Sequence, residues 1–209
     1  MRISRRVLGI GLVPALLILS GCAGKIRYPN YYVLDVPSPV LPAADARPVL
    51  GPLAVRQFDA PAFLRAGPIA YRESTAQLGF YDYHRWATDP RRAVSMAVIH
   101  ELQARGAFRS VALFDGHGSP DWVVTGAIDH MEEVDDGSNV SVEIALSAQL
   151  IDQKTGEVVW QGNSSKNMKL DRRSVPGVVA TMSEGMGVAV KELVSSLQGR
   201  LVASTPSDR

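Results

Sequence analysis

The thiol of Cys22 is the clearest candidate for side-chain chemistry, because Cys22 is the only cysteine in the sequence. One thiol cannot form an internal disulfide bond, and an unpaired cysteine is unusual in an exported protein. Covalent modification of the sulfur would remove this anomaly. The residues that precede Cys22 indicate which modification is expected.

Cys22 follows the three parts of a bacterial export signal. Three arginines within the first six residues precede an apolar run over residues 7–19. This run is shorter than the roughly 20 residues that span a bilayer and has the length of a signal-peptide core. Its end, Leu19-Ser20-Gly21-Cys22, resembles the bacterial lipobox, in which the cysteine is lipidated and becomes the first residue after cleavage. We predict a signal peptide at 1–21, a tether at 22–30 and covalent lipid on Cys22; an ordinary signal peptide with a chance cysteine is the alternative.

Other motifs for catalysis or metal binding are incomplete. Gly116-His117-Gly118-Ser119 lacks the glycine that a G-x-S-x-G nucleophile turn requires after the serine, and it favours a surface loop. The acidic residues from Glu132 to Gly137 lack the alternating ligands of a calcium loop, and we interpret residues 132–138 as a solvated hairpin turn. The sequence has no P-loop and no dinucleotide fingerprint. We predict no catalysis, no metal and no cofactor beyond the lipid on Cys22. No two histidines have the sequence spacing of zinc ligands. The four histidines are His84, His100, His117 and His130.

One segment is rich in the residue types that dominate binding sites. Tyrosine, tryptophan and arginine offer large, rigid contact area with a polar end. The first interpretation is a surface that docks a partner protein. The alternative is that Trp86, with Phe80 or Tyr81, packs under the following helix while Tyr83 and Arg85 are merely exposed. The candidate docking residues are Tyr71, Arg72, Tyr83, His84, Arg85 and Trp86.

Charge and length limit the remaining possibilities. Without the three arginines of the export signal, 19 basic residues face 21 acidic ones, so the mature chain has a net charge near −2. No basic stripe is present, which argues against nucleic acid as a partner. The length predicts one domain over residues 31–203, with a polar tail at 204–209. After the anchor, no apolar run reaches transmembrane length.

The first half of the mature chain alternates short strands with one clear helix. We predict strands at 31–36, 53–58, 69–74, 77–83 and 110–114, and a turn or short helix at 60–64. Asp89 and Pro90 predict the start of a helix, because aspartate caps free N–H groups and proline fits the first helical position. Gly106 predicts its end. Val94, Val98 and Leu102 form its apolar row.

The second half predicts a long hairpin followed by a helix. Residues 122–129 indicate a strand, and residues 140–150 alternate strictly between apolar and polar, which indicates a strand with one buried face. A glycine turn at 152–156 leads to a returning strand from 158 towards 170. An apolar stripe then predicts a helix over 175–201; Gly185 and Gly187 either permit close contact with the sheet or break the helix. The fold class is α+β: a mixed or antiparallel sheet with a long C-terminal hairpin and two main helices packed on one face.

Several of these motifs together resemble a known family. Tyr31-Tyr32-Val33-Leu34 shortly after the cysteine, Phe58-Asp59-Ala60-Pro61, Ala70-Tyr71-Arg72, and residues 81–86 before a helix look like the ABC-type transport auxiliary lipoproteins, the PqiC group. The resemblance covers nearly the whole mature chain. It implies a non-enzymatic lipoprotein that accompanies MCE-domain proteins, which form a periplasmic conduit for phospholipids, often with an ABC permease and ATPase.

The resemblance also implies a location and partners. Such a lipoprotein would sit on the periplasmic face of the outer membrane and receive the end of the conduit; Ala23, not aspartate, after the cysteine favours that membrane. An MCE-domain protein would be the partner, and a homo-oligomeric ring would match the rings of MCE proteins. The alternatives are an assembly lipoprotein of another envelope machine, an envelope hydrolase with dispersed catalytic residues, or a protein that binds lipid directly.

Overall fold

The chain is seen here as a computed structural model that describes residues 27–37, 39, 50–65, 67–137, 139–170 and 173–204. Cys22, the export signal and the tail at 205–209 lie outside these residues. Within them the chain forms eight strands and three helices. In chain order these are β1 (Asn30–Tyr32), β2 (Leu53–Val55), α1 (Ala62–Arg65), β3 (Pro68–Ser74), β4 (Gln77–Trp86), α2 (Pro90–Arg105), β5 (Val111–Leu113), β6 (Trp122–Asp135), β7 (Val140–Asp152), β8 (Val158–Lys169) and α3 (Val175–Ser204).

The sheet forks at β6. Along one side β6 pairs antiparallel with β7 over its whole length, and β7 pairs antiparallel with β8. Along its other side the beginning of β6 pairs in parallel with β2, which carries β5. The end of β6 pairs in parallel with β3, which carries β4 and then β1. β6 therefore has a β2–β5 branch at one end and a β3–β4–β1 branch at the other.

The two long helices pack on this sheet, which confirms the predicted α+β class. α3 lies on β7 and β8, and α2 packs beside α3 and against β5 and β2. The predicted apolar row of α2 is buried, as is the stripe of α3. The buried β7 side chains that meet α3 alternate along the strand, as predicted: Val142, Ile144, Leu146, Ala148 and Leu150.

Local sequence signals set the ends of α2. The Asp89 carboxylate accepts a hydrogen bond from the backbone N–H of Arg91, and Pro90 occupies the first turn. Gly106 adopts a left-handed conformation, with φ of 67°, and its N–H donates to the carbonyl of Gln103. Both ends of the helix therefore lie where the sequence predicts them.

The two glycines within α3 do not break the helix. A Cβ atom on Gly185 would lie 2.9 Å from Sδ of Met168 and 3.2 Å from Cγ1 of Ile144. A Cβ atom on Gly187 would lie 3.1 Å from Cδ of Pro37. The first of the two predicted alternatives is correct, because these glycines allow α3 to approach the sheet and the chain after β1.

Four strand predictions were wrong by three residues or more at one end. The structure ends β2 at Val55 and not at residue 58, and it continues β4 to Trp86 and not to residue 83. The structure ends β1 at Tyr32, because the next residues leave β4: Leu34 enters the core and the Asp35 N–H bonds Oγ of Ser183 on α3. It also continues β6 to Asp135, six residues beyond the predicted end. The extension of β6 changes the environment of two carboxylates.

Candidate functional site

Glu132 and Glu133 lie inside β6 and not in a solvated turn, which corrects the sequence prediction. Both have no exposed surface. The turn begins only after Asp135, where the N–H of Asn139 donates to the Asp136 side chain. The reason is the pairing of β6 on both sides, with β7 and with β3, which holds this acidic stretch in extended conformation.

The two glutamates point to opposite faces of the sheet. Glu133 pairs with Val142, whose side chain is in the core beneath α3, whereas Glu132 pairs with Glu143. Neighbouring side chains of a strand alternate between faces, so each carboxylate needs its own compensating partners. The partners come from β3 and β4, which are distant in sequence.

Glu132 is compensated by Arg72 on β3. Nε and Nη2 of Arg72 donate to Oε1 of Glu132 at 3.1 and 2.7 Å, and Nδ1 of His130 lies 3.0 Å from the same oxygen. Oε2 accepts the backbone N–H of Met131 at 2.8 Å. Every oxygen of this buried carboxylate therefore has a donor, as a buried charge requires.

The side chains around Glu132 include residue types that bind metals. His130, Glu132 and Glu143 offer ligand atoms within 4.8 Å of one another. However, the guanidinium of Arg72 already supplies positive charge at Oε1 of Glu132, the oxygen next to His130. The donor set fits an arginine-compensated cluster better than a metal site, and the absence of a resident metal stays a prediction.

Glu133 is held by a tyrosine. The hydroxyl of Tyr81 donates to Oε2 of Glu133 at 2.6 Å, while Oε1 is buried without a hydrogen-bond partner among the described residues. Burial, followed by the hydrogen bond to Glu133 and the charge of that carboxylate, raises the pKa of Tyr81 well above its usual range. The neutral phenol is therefore the stable donor here.

Aromatic rings surround that contact. The Tyr71 ring centroid lies 5.0 Å from that of Tyr81, and the His84 ring lies 5.9 Å from Tyr81. The Tyr32 hydroxyl is 2.8 Å from Nδ1 of His84. The structure thus links β1, β3 and β4 to β6 through one network of aromatic and polar side chains.

The six predicted docking residues do not form one surface. Arg72 is engaged with Glu132, and Tyr71 and His84 are half-buried in the aromatic network. Trp86 is only 6% exposed and belongs to the core, so its side chain is not presented to a partner. Tyr83 is exposed, as in the alternative interpretation, whereas Arg85 is half-buried and not exposed as that interpretation expected.

The serine-containing loop over residues 115–120 has the geometry of an exposed turn. His117 is exposed and its Nδ1 lies 3.6 Å from the Asp115 carboxylate, which is itself exposed. Gly116 and Gly118 adopt positive φ angles of 87° and 79°, typical of a turn. The loop has the character of the surface loop that the sequence favours.

A groove of about 590 Å³ lies where α2 and α3 meet the chain at Pro37 and Pro39. Its apolar lining includes Val188, but charged side chains of both helices also line it: Glu101, Arg105, Glu184 and Lys191. Among the described residues, no helix is both long and apolar enough to cross a membrane.

Comparison with known proteins identifies relatives of the chain. The sequence model of one family, described as an ABC-type transport auxiliary lipoprotein component, matches residues 32–194. No curated protein matches the chain. The family match begins within β1 and ends within α3, so it includes every strand of the fork after β1 and the carboxylates of β6.

Two solved structures share the fold at low sequence identity, and a third is similar at a lower TM-score. A Xanthomonas campestris protein is 19% identical with a TM-score of 0.70, over 84% of this chain and 99% of that chain. A second, uncharacterized protein is 14% identical with a TM-score of 0.63, over 82% of this chain and 99% of that one. PelC of Paraburkholderia phytofirmans, a dodecamer, is 17% identical with a TM-score of 0.47, over 78% of this chain and 95% of that chain.

Proposed function

Because the chain belongs to the family of ABC-type transport auxiliary lipoprotein components, we propose that it is the membrane-anchored auxiliary component of an MCE/ABC-type envelope lipid transport system. In this proposal Cys22 carries the lipid, the domain lies on the periplasmic face of the outer membrane, and it docks the end of an MCE conduit. The observation that carries the proposal is the family match over residues 32–194, together with the lipobox-like sequence that precedes it.

The described structure supports a binding role over catalysis. The buried carboxylates of β6 are used internally, Glu132 by Arg72 and Glu133 by Tyr81. Carboxylates engaged in this way are not presented to a substrate. We propose that the protein acts without catalysis and holds other components in place, with a homo-oligomeric ring as the form that would match a ring-shaped partner.

The partner is tested by affinity purification of the full-length lipoprotein from detergent-solubilised envelopes, followed by mass spectrometry. Recovery of an MCE-domain protein, with or without an ABC permease, is expected. A tagged, unrelated lipoprotein from the same envelopes is the control for non-specific capture. Recovery of a different envelope complex would instead assign the protein to that machine, and a partnerless preparation would overturn the docking role.

The membrane is tested by separating inner and outer membranes on a density gradient. The wild-type protein is expected in the outer-membrane fractions, because Ala23 follows the lipidated cysteine. Ala23→Asp is expected to move the protein to the inner membrane, whereas Ala23→Ser is the conservative control and keeps the wild-type distribution. Inner-membrane sorting of the wild type would contradict the proposed location and leave the lipid anchor intact.

A further inference from the structure

The exposed aromatic side chains gather at one edge of the sheet. Within the described ranges, four aromatic side chains count as exposed: Tyr28 (79%), Tyr31 (64%), Phe80 (42%) and Tyr83 (41%). Tyr28 precedes β1, Tyr31 lies on β1, and the other two lie on β4, the strand that pairs with β1. Exposed aromatic clusters of this kind mark interaction surfaces. We call residues 27–33 and 80–85 the anchor-side edge.

Arginine accompanies these aromatic side chains. The guanidinium of Arg27 lies 5.3 Å from the centroid of the Tyr83 ring, and Arg85 is directly opposite Tyr31 in the β1–β4 register. The acidic residue of the anchor-side edge is Asp82, so its two arginines outnumber its acids. Tyrosine side chains concentrate at the headgroup level of membranes, and basic side chains are attracted to anionic headgroups.

The sequence places this edge next to the predicted anchor. Arg27 is five positions after Cys22. Even a fully extended chain of that length spans only about 18 Å. Tyr31 can lie no more than about 32 Å from Cys22 by the same measure. Lipid on Cys22 would therefore keep the anchor-side edge closer to the bilayer than the β8 edge on the far side of the sheet.

We propose that the anchor-side edge rests on the phospholipid headgroups and fixes the orientation of the domain on the membrane. The tyrosine rings lie at the headgroup level, Arg27 and Arg85 contact phosphates, and the outer backbone groups of β1 bond headgroups or water. The occupant is the bilayer and not the transport partner, because the tether ends at this edge. The proposal rests on the proposed lipidation of Cys22 and is independent of the MCE partner.

The experiment places a fluorescent label at single positions of the full-length lipidated protein. Because Cys22 is the only cysteine and its sulfur would carry lipid, Tyr31→Cys and Tyr83→Cys each create one labelling site. Val158→Cys is the matched control, since Val158 is 51% exposed on β8 at the opposite edge. The labelled proteins are reconstituted into vesicles of phosphatidylethanolamine and phosphatidylglycerol, with or without nitroxide-bearing lipid.

We expect nitroxide lipid to quench labels at positions 31 and 83 at least three-fold more strongly than the label at 158. Equal quenching at all three positions would overturn the proposal, because the domain would then move freely on its tether. Labels at 31 and 83 that are shielded from water but not quenched by lipid would also overturn it and would assign the edge to a protein partner or a second copy. Thermal unfolding of each variant, compared with the wild type, shows that the fold is retained.

Failure of the anchor itself gives a different result. If Cys22 carries no lipid, the wild-type protein without added cysteines takes up the thiol-reactive label and does not remain with vesicles on flotation. Loss of the MCE partner in affinity purification would likewise leave the quenching pattern unchanged. Quenching, thiol labelling and partner recovery therefore separate the orientation, the anchor and the transport role.

Discussion

The two glutamates at the end of β6 show how one strand can hold charge on both faces. Glu132 is neutralised by the guanidinium of Arg72, while Glu133 is held through the hydroxyl of Tyr81. A buried carboxylate without such a partner is costly, so the partner residues should control stability as strongly as core residues do. Two predictions follow for the two faces of the strand.

Arg72→Met is expected to destabilise the protein by about 3 kcal/mol, because it leaves the buried Glu132 carboxylate without its main donor. Arg65→Met is the matched control, since Arg65 pairs with Asp59 at 3.1 Å on an exposed surface. That pair should contribute no more than about 1 kcal/mol. Equilibrium denaturation measures both, and equal losses would show that Glu132 does not depend on Arg72.

A second substitution checks the mechanism. When Glu132→Leu is added to Arg72→Met, the unpaired buried charge is gone and most of the lost stability should return. A further loss in the double variant would mean that Arg72 acts through packing and not through charge.

Tyr81→Phe is expected to cost about 1–3 kcal/mol, since it removes the hydrogen bond to Glu133 while that carboxylate remains buried. The pKa of Tyr81 is raised in the folded state, so its stabilising effect is complete below the ordinary tyrosine value of 10.0 and is lost as the pH rises above it. The stability difference between wild type and Tyr81→Phe should therefore shrink above about pH 10. Tyr83→Phe, at an exposed ring, is the control for loss of a tyrosine hydroxyl and should change stability by no more than about 0.5 kcal/mol in the same denaturation experiments.

The ends of α2 could be predicted from the sequence because their signals are local. Asp89, Pro90 and Gly106 define α2 within one turn of their own positions, so their types were sufficient. Glu132 and Glu133 were misread because their partners, Arg72 and Tyr81, are about 50 to 60 residues away. Neighbouring acids are usually solvated, and only the pairing of β6 with β3 reveals that these are buried.

Among the secondary-structure elements, α3 and the β7–β8 hairpin are predicted most completely from the sequence. The apolar periodicity of β7 and α3 is strong in the sequence because one face of each is buried along most of its length. β8 has only two buried residues, Trp160 and Ser164, and was predicted from the glycine turn that precedes it. The short strands β1, β2 and β5 have three residues each, and their extents depend on pairing partners that the sequence does not specify locally. The fork at β6 was therefore not predicted.

The glycines of α3 provide a test of helix–sheet packing. Gly199→Ala is expected to stabilise the protein by up to about 1 kcal/mol, because alanine favours helix and nothing lies within 4 Å of the new Cβ atom. Gly185→Ala gains the same helix propensity, but its Cβ atom would crowd Met168 and Ile144. We expect Gly185→Ala to be about 1–2 kcal/mol less stable than Gly199→Ala in thermal and chemical denaturation. Equal stabilisation by both would show that the contact under Gly185 is loose.

In the molecule as a unit, β6 is the strand with which both branches of the sheet pair. Its pairing with β7 is long, whereas each branch meets it over two or three paired residues. Backbone groups in extensive pairing open least often, so stability should fall from the centre towards the ends of the branches.

Hydrogen–deuterium exchange tests that gradient. We expect the slowest amide exchange in β6, β7 and the middle of α3, and exchange faster by at least ten-fold in β1 and in the loop at 115–121. The β7–β8 pairing, which spans residues 141–151 of β7, serves as the internal reference for a long antiparallel ladder. Uniform protection in β1 and β7 would mean that the domain opens only as a single unit.

The short β1 strand also sets how the domain would respond to a pull. Tension on a lipid at Cys22 would enter the folded chain at Asn30 and load the three-residue parallel pairing with β4 before any longer ladder. Peeling those residues would lengthen the tether by about 10 Å. Detachment of the chain would then stop at Leu34, which is buried in the core and only 4% exposed. Under tension, the three residues of β1 would therefore detach first, and the buried Leu34 would resist further unfolding.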